Sequence, residues 1–317
     1  MVKKTFLITG NCGYVGSVLT EECLKNNHQV IGYDILMHGK EHLNHLEKNP
    51  NLKIINGDIR DLNKIEPLIK ESDILVHLAA IARVDNCINL EKEMEDINTN
   101  SSISIASLCD KYNKKFIFAS SCSVYGLMDN NKEVEENSPL LPTTIYARTK
   151  LAAEKGILNI NKKAIILRFA TAYGQSPRMR YDLFINEIIR DAYIKKKIDL
   201  FDPNVWRCYI HIKDMSKAIL FFSKKEKIEG NIFNIGSREQ NLTKEKIIDV
   251  MEKIIGYFEI NLIRDKKDPR DYIINFNRAY LEGFKVDKNI EFGIKEMLDN
   301  LIKKEIDPYD IKFTNYK

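Results

Sequence analysis

The chain has 317 residues, 44% hydrophobic and 30% charged, the balance of a water-soluble globular protein with room for one large or two modest domains. Its 49 Lys and Arg against 45 Asp and Glu leave a net charge of +4 with the signs interspersed, which argues against a nucleic-acid surface. Six cysteines (Cys12, Cys23, Cys87, Cys109, Cys122, Cys208) stand without paired spacing, which argues against a zinc site or a disulfide framework and fits a reducing compartment.

Met1 leads almost at once into the first strand, and no apolar run reaches membrane length, so a cytoplasmic protein without a membrane anchor is expected. Residues 5–8 form a short apolar run of strand type. Gly10, Gly13 and Gly16 follow, spaced three apart, and then Val15, Leu19, Cys23 and Leu24 fall on one helical face. Strand, glycine turn and helix open a βαβ unit. The glycines let the backbone turn tightly and approach a pyrophosphate, which would sit on the open N–H groups of the helix N-terminus. A second strand, 29–33, ends in Asp34, eighteen residues past Gly16. An acid there is placed to accept hydrogen bonds from the adenosine ribose hydroxyls.

The alternation continues. A short helix is expected over 41–48, strands over 52–56, 73–78 and 115–120, and helices over 62–70, 91–112 and 145–158. Strand 164–169 follows the last of these. Apolar strands alternating with helices imply a parallel sheet covered on both faces, with its ligand crevice at the carboxyl ends of the strands. Gly10, Asp34, Asp58, Ala79, Ala80, Ser120 and Ser121 all fall at such ends. Beyond Tyr173 the rhythm loosens. Helices are expected over 183–195, 215–223, 244–255 and 293–304, with strands over 198–201, 207–212 and 232–235. The residues thus predict an α/β protein, a Rossmann-type doubly wound parallel sheet over 1–173, and a smaller mixed α/β lobe over 174–317 interleaved with the last strands. The cations at 195–197 complement the end of a helix.

Tyr146 and Lys150 are four apart on a predicted helix and share a face. An ammonium near a phenol favours the phenolate and lowers its pKa from about 10. Such a tyrosine can act as base toward a hydroxyl or as acid toward a ketone. Alone the pair also reads as two surface residues at helical spacing. Upstream, the strand-end run Phe118-Ala119-Ser120-Ser121-Cys122-Ser123-Val124-Tyr125-Gly126 supplies a serine hydroxyl that could hold the reacting oxygen.

With these residues together the chain resembles the extended short-chain dehydrogenases/reductases of the nucleotide-sugar epimerase/dehydratase kind. The pattern falls on Thr9 to Gly16, Asp34, Asp58, Ser121, Tyr146 and Lys150. It continues in Leu167-Arg168-Phe169-Ala170-Thr171-Ala172-Tyr173-Gly174, in the segment from Arg207 to Asp214, in 231–236, and in Asp268-Pro269-Arg270-Asp271-Tyr272. Nearly the whole chain is covered. The resemblance implies catalysis by Ser121, Tyr146 and Lys150. It implies NAD contacts from Gly10, Cys12, Gly13, Tyr14, Val15, Gly16, Asp34, Asp58, Ile59, Leu78, Ala79, Ala80, Tyr146 and Lys150. It implies substrate contacts from Ser121, Ser123, Thr171, Arg207 and Arg270, with Thr171 standing where the family usually has Asn.

The resemblance further implies oxidation at C4 of a nucleotide-diphosphate sugar, by a 4-epimerase or a 4-dehydrogenase acting on a hexose or heptose for a bacterial surface polysaccharide. A 4-keto-sugar reductase and a non-catalytic NAD-binding regulator are the alternatives. The family's 4,6-dehydratases carry Asp-Glu where Cys122 and Ser123 stand, which disfavours elimination. Asp34 favours NAD over NADP, because a 2′-phosphate would face its carboxylate. A homodimer through a four-helix bundle of 91–112 and 145–158 is expected, and no metal. Among the remaining residues, Arg207 reads as a diphosphate clamp or as a surface arginine beside Trp206. Arg270 pairs either with phosphate or with Asp271. Arg178 and Arg180 read as solvated loop residues in preference to a substrate-closing loop. His77 and His211 read as packed structural histidines, and Cys122 as a buried inert thiol.

Overall fold

The structure, a computed structural model, describes residues 2–82, 90–128, 133–227, 230–264, 268, 270–303 and 307–315. Cys87 and Pro269 lie outside them. Strand β1 (Thr5–Thr9), helix α1 (Tyr14–Lys25) and β2 (Gln29–Asp34) form the first βαβ unit. A 3-10 turn over Glu41–Leu46 leads to β3 (Leu52–Asn56), α2 (Leu62–Glu71) and β4 (Ile74–His77). The expected helix over 91–112 is one run in three parts: α3 (Glu91–Met94), a π-helical stretch (Glu95–Asn100) and α4 (Ser101–Lys111). Then come β5 (Lys115–Ser121), a 3-10 turn at Cys122–Tyr125, β6 (Glu133–Val134), α5 (Ile145–Ile160) and β7 (Ile165–Phe169).

The second half adds β8 (Thr171–Tyr173), α6 (Phe184–Ile194), β9 (Lys197–Leu200), β10 (Trp206–His211), α7 (Ile212–Ser223) and β11 (Ile232–Ile235). It ends with β12 (Asn241–Thr243), α8 (Lys244–Ile255), β13 (Glu259–Leu262), β14 (Ile273–Ile274), α9 (Asn277–Leu281) and α10 (Ile290–Lys303). The three-residue strands β8 and β12 and the two-residue β6 and β14 are too short to show a period, so the sequence does not announce them.

Seven strands pair in parallel in the order β11-β7-β5-β4-β1-β2-β3. The order turns back between β1 and β4, which puts the crevice of a doubly wound sheet at their carboxyl ends. Both faces are covered. Leu7, Ile31, Leu75, Phe116 and Ile166 pack against α2, α4 and α5. Phe6, Ile8, Val30, Val76, Ile117 and Leu167 face the opposite way, toward α1 and α7. Neighbours in sequence face opposite sides because side chains alternate along a strand. Strand β11 comes from beyond residue 174 and extends the main sheet along β7, in register Phe233↔Leu167. A smaller sheet, β12-β10-β8, lies in the second half, with β10 parallel to β8 and antiparallel to β12. Among the described residues no helix is long and apolar enough to cross a membrane.

Candidate active site

The glycine turn has the geometry a dinucleotide needs. Gly10 has φ +72°, and a Cβ there would stand 2.8 Å from the backbone N of Ala79. A Cβ at Gly16 would lie 2.1 Å from the carbonyl O of Gly10, so helix and turn meet only because no side chain intervenes. Gly13 is the N-cap of α1 and offers no side-chain cap, which leaves the first N–H groups of the helix open to an anion. Tyr14 turns its ring away into the second half, where its hydroxyl donates to Gly174 O at 2.7 Å, so its backbone N–H is what it offers the turn. Val15 is partly buried behind it.

Asp34 closes β2. One oxygen accepts from Cys12 N at 3.0 Å and the other from Leu36 N at 2.8 Å, which fixes the carboxylate at the strand end. Burial raises its pKa; those two N–H groups and the Arg178 guanidinium oppose the rise. The Cys12 thiol is buried and pushed up to about 12 by burial and by Asp34, so it is an inert wall. Leu78 and Ala79 line the β4 end, tied to Thr9 by Leu78 N to Thr9 O at 3.2 Å and Ala79 N to Thr9 Oγ1 at 3.3 Å. Ala80 is partly buried, as is Asp58, while Ile59 is buried. The Asp58 carboxylate is held by Arg60, with Nε at 3.0 Å and Nη2 at 2.5 Å. The glycine turn, open helix end and strand-end acid therefore fit a dinucleotide.

At the far end of the crevice, the Ser121 hydroxyl stands near enough to the Tyr146 phenol to favour its ionised form. Ser121 Oγ also accepts from Ser123 N at 3.2 Å, which fixes its rotamer as the cap of the 3-10 turn. Tyr146 and Lys150 do lie on one face of α5, whose N-cap Thr144 accepts from Ala147 N at 3.1 Å. Burial pushes the Tyr146 phenol up to about 12, and the charge that draws it down is the Arg180 guanidinium, together with the Ser121 hydroxyl. The Lys150 ammonium instead donates to Ala119 O at 2.8 Å over the Phe118 ring, and burial pushes it down to about 7. The sequence paired the phenol with Lys150; in the structure the charge that acts on it is Arg180. His77, fully buried, bonds Thr9 Oγ1 at 2.7 Å and Ser102 Oγ at 2.9 Å and is structural, as expected. His211 is likewise buried against Glu296 at 3.0 Å.

The substrate residues expected from the sequence converge. Ser121 pairs with Phe169 across β5 and β7, and two residues on Thr171 begins the strand that pairs with β10. Arg207, on β10, donates Nη2 to Thr171 Oγ1 at 3.0 Å and Nη1 to both Asp268 oxygens at 3.3 Å. It is 5% exposed, so the surface-arginine reading fails. Arg270 also pairs with Asp268, through Nε at 3.0 Å. Lys244 brings a third cation, 3.4 Å from the same carboxylate. Burial alone would raise Asp268, but Arg207 and Arg270 hold it far below the carboxylate range. Ser123 Oγ and Arg207 Nε are buried without hydrogen-bond partners, as a ligand-binding wall would leave them.

Several residues of this region escape sequence reasoning. Glu154 lies four residues beyond Lys150 on the same helix, forms a fully buried ion pair with Arg168 at 2.7 Å, and hydrogen-bonds Ser120. The signal was present: a lone arginine in the apolar run of β7, and an acid continuing the Tyr146–Lys150 spacing. Asp268 and Lys244 carry no spacing signal. The expectation that Arg178 and Arg180 are solvated is corrected. Arg178 is 2% exposed, and Arg180 is largely buried and paired with Asp182 at 2.5 Å. The loop that holds them is pinned between α1 and the C-terminal segment.

A profile described as the NAD dependent epimerase/dehydratase family matches residues 6–236. The chain is 31% identical to the UDP-N-acetyl-alpha-D-glucosaminuronate decarboxylase of Bacillus cytotoxicus, over 78% of this chain and 80% of that protein. It is 27% identical to the UDP-glucuronate 4-epimerase of Thermodesulfobacterium geofontis, over 86% of this chain and 84% of that one. Among solved structures it is similar to the UDP-glucuronic acid 4-epimerase of Bacillus cereus in complex with UDP-glucuronic acid and NAD. That match has TM-score 0.84 and 26% identity, covering 94% of this chain and 99% of the other. With the glycine turn, the strand-end Asp34 and the half-buried Ser121 and Tyr146 in place, these matches make the chain a member of the NAD-dependent epimerase/dehydratase family, an extended short-chain dehydrogenase/reductase enzyme whose cofactor is NAD.

Proposed function

We propose that this enzyme oxidises the C4 hydroxyl of a nucleotide-diphosphate sugar, as a 4-epimerase or a 4-dehydrogenase. The observation that carries this reading is the register that sets Ser121 beside the Thr171–Arg207 arm, where three cations meet on Asp268. Arg207, Arg270 and Lys244 all pair with Asp268, whose N–H donates to Asp202, and three cations meeting on one carboxylate suit a diphosphate carrying at least two negative charges. In this reading residues 1–173 hold the cofactor and 174–317 the nucleotide sugar.

Tyr146 takes the C4 hydroxyl proton as that carbon is oxidised and returns it on reduction. The phenolate that forms is stabilised by the Ser121 hydroxyl and by Arg180. Ser121 Oγ, fixed by Ser123 N, also holds the reacting oxygen. Lys150, braced on Ala119 O, is assigned to the nicotinamide ribose. The chemistry NAD supplies when bound is acceptance, and where the sugar is reduced again return, of the C4 hydride. The main-chain cradle around Gly10, Gly13 and Gly16 and the Asp34 carboxylate are assigned to the dinucleotide, with Asp58, Ile59, Leu78, Ala79 and Ala80 walling its adenine and ribose. Elimination at C5 and C6 finds no acid or base: Cys122 and Ser123 occupy the carboxylate positions, and burial holds the Cys122 thiol far above its ordinary range.

The relatives that are 4-epimerases support C4 as the reacting carbon. Family analogy supports a hexose or heptose for a surface polysaccharide, a cytoplasmic enzyme, and a homodimer through a four-helix bundle of 91–112 and 145–158; within one chain the π-helical stretch packs on α5, Thr99 Oγ1 donating to Thr149 O at 3.0 Å. A 4-keto-sugar reductase would be favoured by a measured preference for NADPH. A non-catalytic regulator is opposed by the complete Ser121, Tyr146 and Lys150 set.

The test is mass spectrometry of the enzyme with a panel of UDP-, GDP- and dTDP-sugars, recording cofactor absorbance alongside. A product of unchanged mass and altered retention means epimerisation. A product lighter by two hydrogens, with NADH accumulating, means a dehydrogenase. Tyr146→Phe should lower turnover by about 10²–10⁴-fold; unchanged turnover would sink the mechanism.

A further inference from the structure

The segment from Gly174 to Leu183 belongs to the second half of the chain, yet it is stapled to the first turn of α1. Ser176 Oγ donates to Tyr14 O at 2.7 Å and lies 2.9 Å from Ser17 Oγ. Asn186 receives Gly174 N at 3.1 Å and donates to the Tyr14 hydroxyl at 3.1 Å and to Arg180 O at 3.0 Å. From the other side the C-terminal segment holds the loop, through Tyr181 N to Phe313 O at 2.9 Å and Arg178 Nη2 to Thr314 O at 3.1 Å. The loop is thereby fixed against the helix end where a dinucleotide's phosphates belong.

Arg178 is an anomaly in this setting. It is 2% exposed, and among the described residues it forms no ion pair within 4.0 Å. Its Nε is buried with no hydrogen-bond partner. A buried guanidinium without a counter-ion is costly, and proteins keep such a charge where an anion completes it. The acids that act on it are Asp182 and Asp34. Asp182 is already held by Arg180. Asp34 already has both oxygens on backbone N–H groups. Burial and the like charge of Arg180 draw the guanidinium down to about 10, the direction expected of a cation awaiting a partner. The same loop carries Arg180 to Tyr146, so its two arginines act on the two ends of the crevice.

The geometry points to Arg178 as a cofactor-binding residue that pairs with the pyrophosphate of the dinucleotide, gripping it from the second lobe while the N-terminus of α1 grips it from the first. This rests on NAD as the cofactor. A planar guanidinium can take two phosphate oxygens at once, so the contact is bidentate and discriminates Arg from Lys. One consequence is retention: the cofactor bridges two parts of the chain and leaves slowly.

The test is isothermal titration calorimetry on the full-length enzyme stripped of cofactor, with adenosine, ADP-ribose, NAD and NADP as probes. Arg178→Met should weaken ADP-ribose and NAD about 10–100-fold and leave adenosine within about twofold. Arg178→Lys should recover only part of the loss, which also serves if the Met variant folds poorly. Wild-type protein as purified should carry more adenine absorbance than either variant. Equal losses for adenosine and ADP-ribose would make Arg178 a strut for Thr314 and overturn the proposal, as would ADP-ribose binding unchanged in both variants. A loss confined to NADP would assign the arginine to a 2′-phosphate and equally overturn it. If wild-type protein bound adenosine but gained nothing from ADP-ribose or NAD, the cofactor assignment itself would fall, and this proposal with it.

Discussion

Two buried arginines, Arg168 and Arg207, sit on neighbouring parts of the fold and do opposite things. Arg168 is fully employed. Nε and Nη2 bind Glu154, and Nη1 binds the Tyr125 hydroxyl at 3.0 Å and Glu136 O at 3.1 Å. One cation meets one carboxylate, and Tyr125 passes the network to Asn234 on β11 at 2.8 Å. Arg207 leaves Nε unpartnered, spreads Nη1 over two oxygens at 3.3 Å, and shares Asp268 with Arg270 and Lys244. Balanced buried charge is scaffold: it ties α5 and β7 to the edge of the sheet. Three cations on one carboxylate are what the proposed diphosphate site rests on, because an incoming anion completes them. Arg178, which forms no ion pair among the described residues and keeps a buried Nε without a partner, is proposed to be of the second kind.

The largest expected effect would break the scaffold side of the comparison. Arg168→Met leaves the buried Glu154 carboxylate without its guanidinium, and should cost about 3–5 kcal/mol in urea unfolding. The Glu154→Gln, Arg168→Met double variant should recover most of that. A single-variant cost below about 1 kcal/mol would mean that the pair is not the tie between helix and sheet.

Lys150 gives the next effect and sets a pH window. Burial holds its folded pKa near 7, whereas an unfolded lysine titrates near about 10.4. Between those values the unfolded chain binds more protons, so the stability of cofactor-free enzyme should rise with pH, by up to a few kcal/mol. Lys150→Met should flatten this rise, as read from urea midpoints across the window. An unchanged slope would show that the ammonium is solvated.

On the binding side, Arg207→Met should weaken UDP or GDP binding about 10–100-fold, read by calorimetry, while the melting temperature holds or rises. A fall in stability matching that for Arg168 would erase the distinction. The smallest effect belongs to an intermediate case, Glu296. Against burial, which raises it, His211 and Lys213 hold this carboxyl at about 2. Its stabilisation is therefore present above the unfolded value near about 4.3 and is lost as pH falls toward 2. Glu296→Gln should cost about 1–2 kcal/mol at neutral pH and almost nothing in acid, which pH-dependent unfolding would check.

The sequence by itself determined the first βαβ unit, the alternation that makes a parallel sheet, and the placement of Asp34 at a strand end and of Tyr146 and Lys150 on one helical face, while Ser121 was singled out only by the family resemblance. Those signals are local. Strand and helix periods, a glycine turn and a four-residue helical spacing depend only on backbone geometry within one or two turns. Tertiary structure alone decided which charges are buried and with whom. Arg207 meets Asp268 across 61 residues, and Lys150 turns to Ala119 O across 31. Arg178 and Arg180, which read as solvated from their Pro-containing loop, are enclosed because Tyr14, Ser17 and the C-terminal segment close on them. Desolvation and ion pairing are properties of the packed assembly of elements, and no short window of sequence contains them.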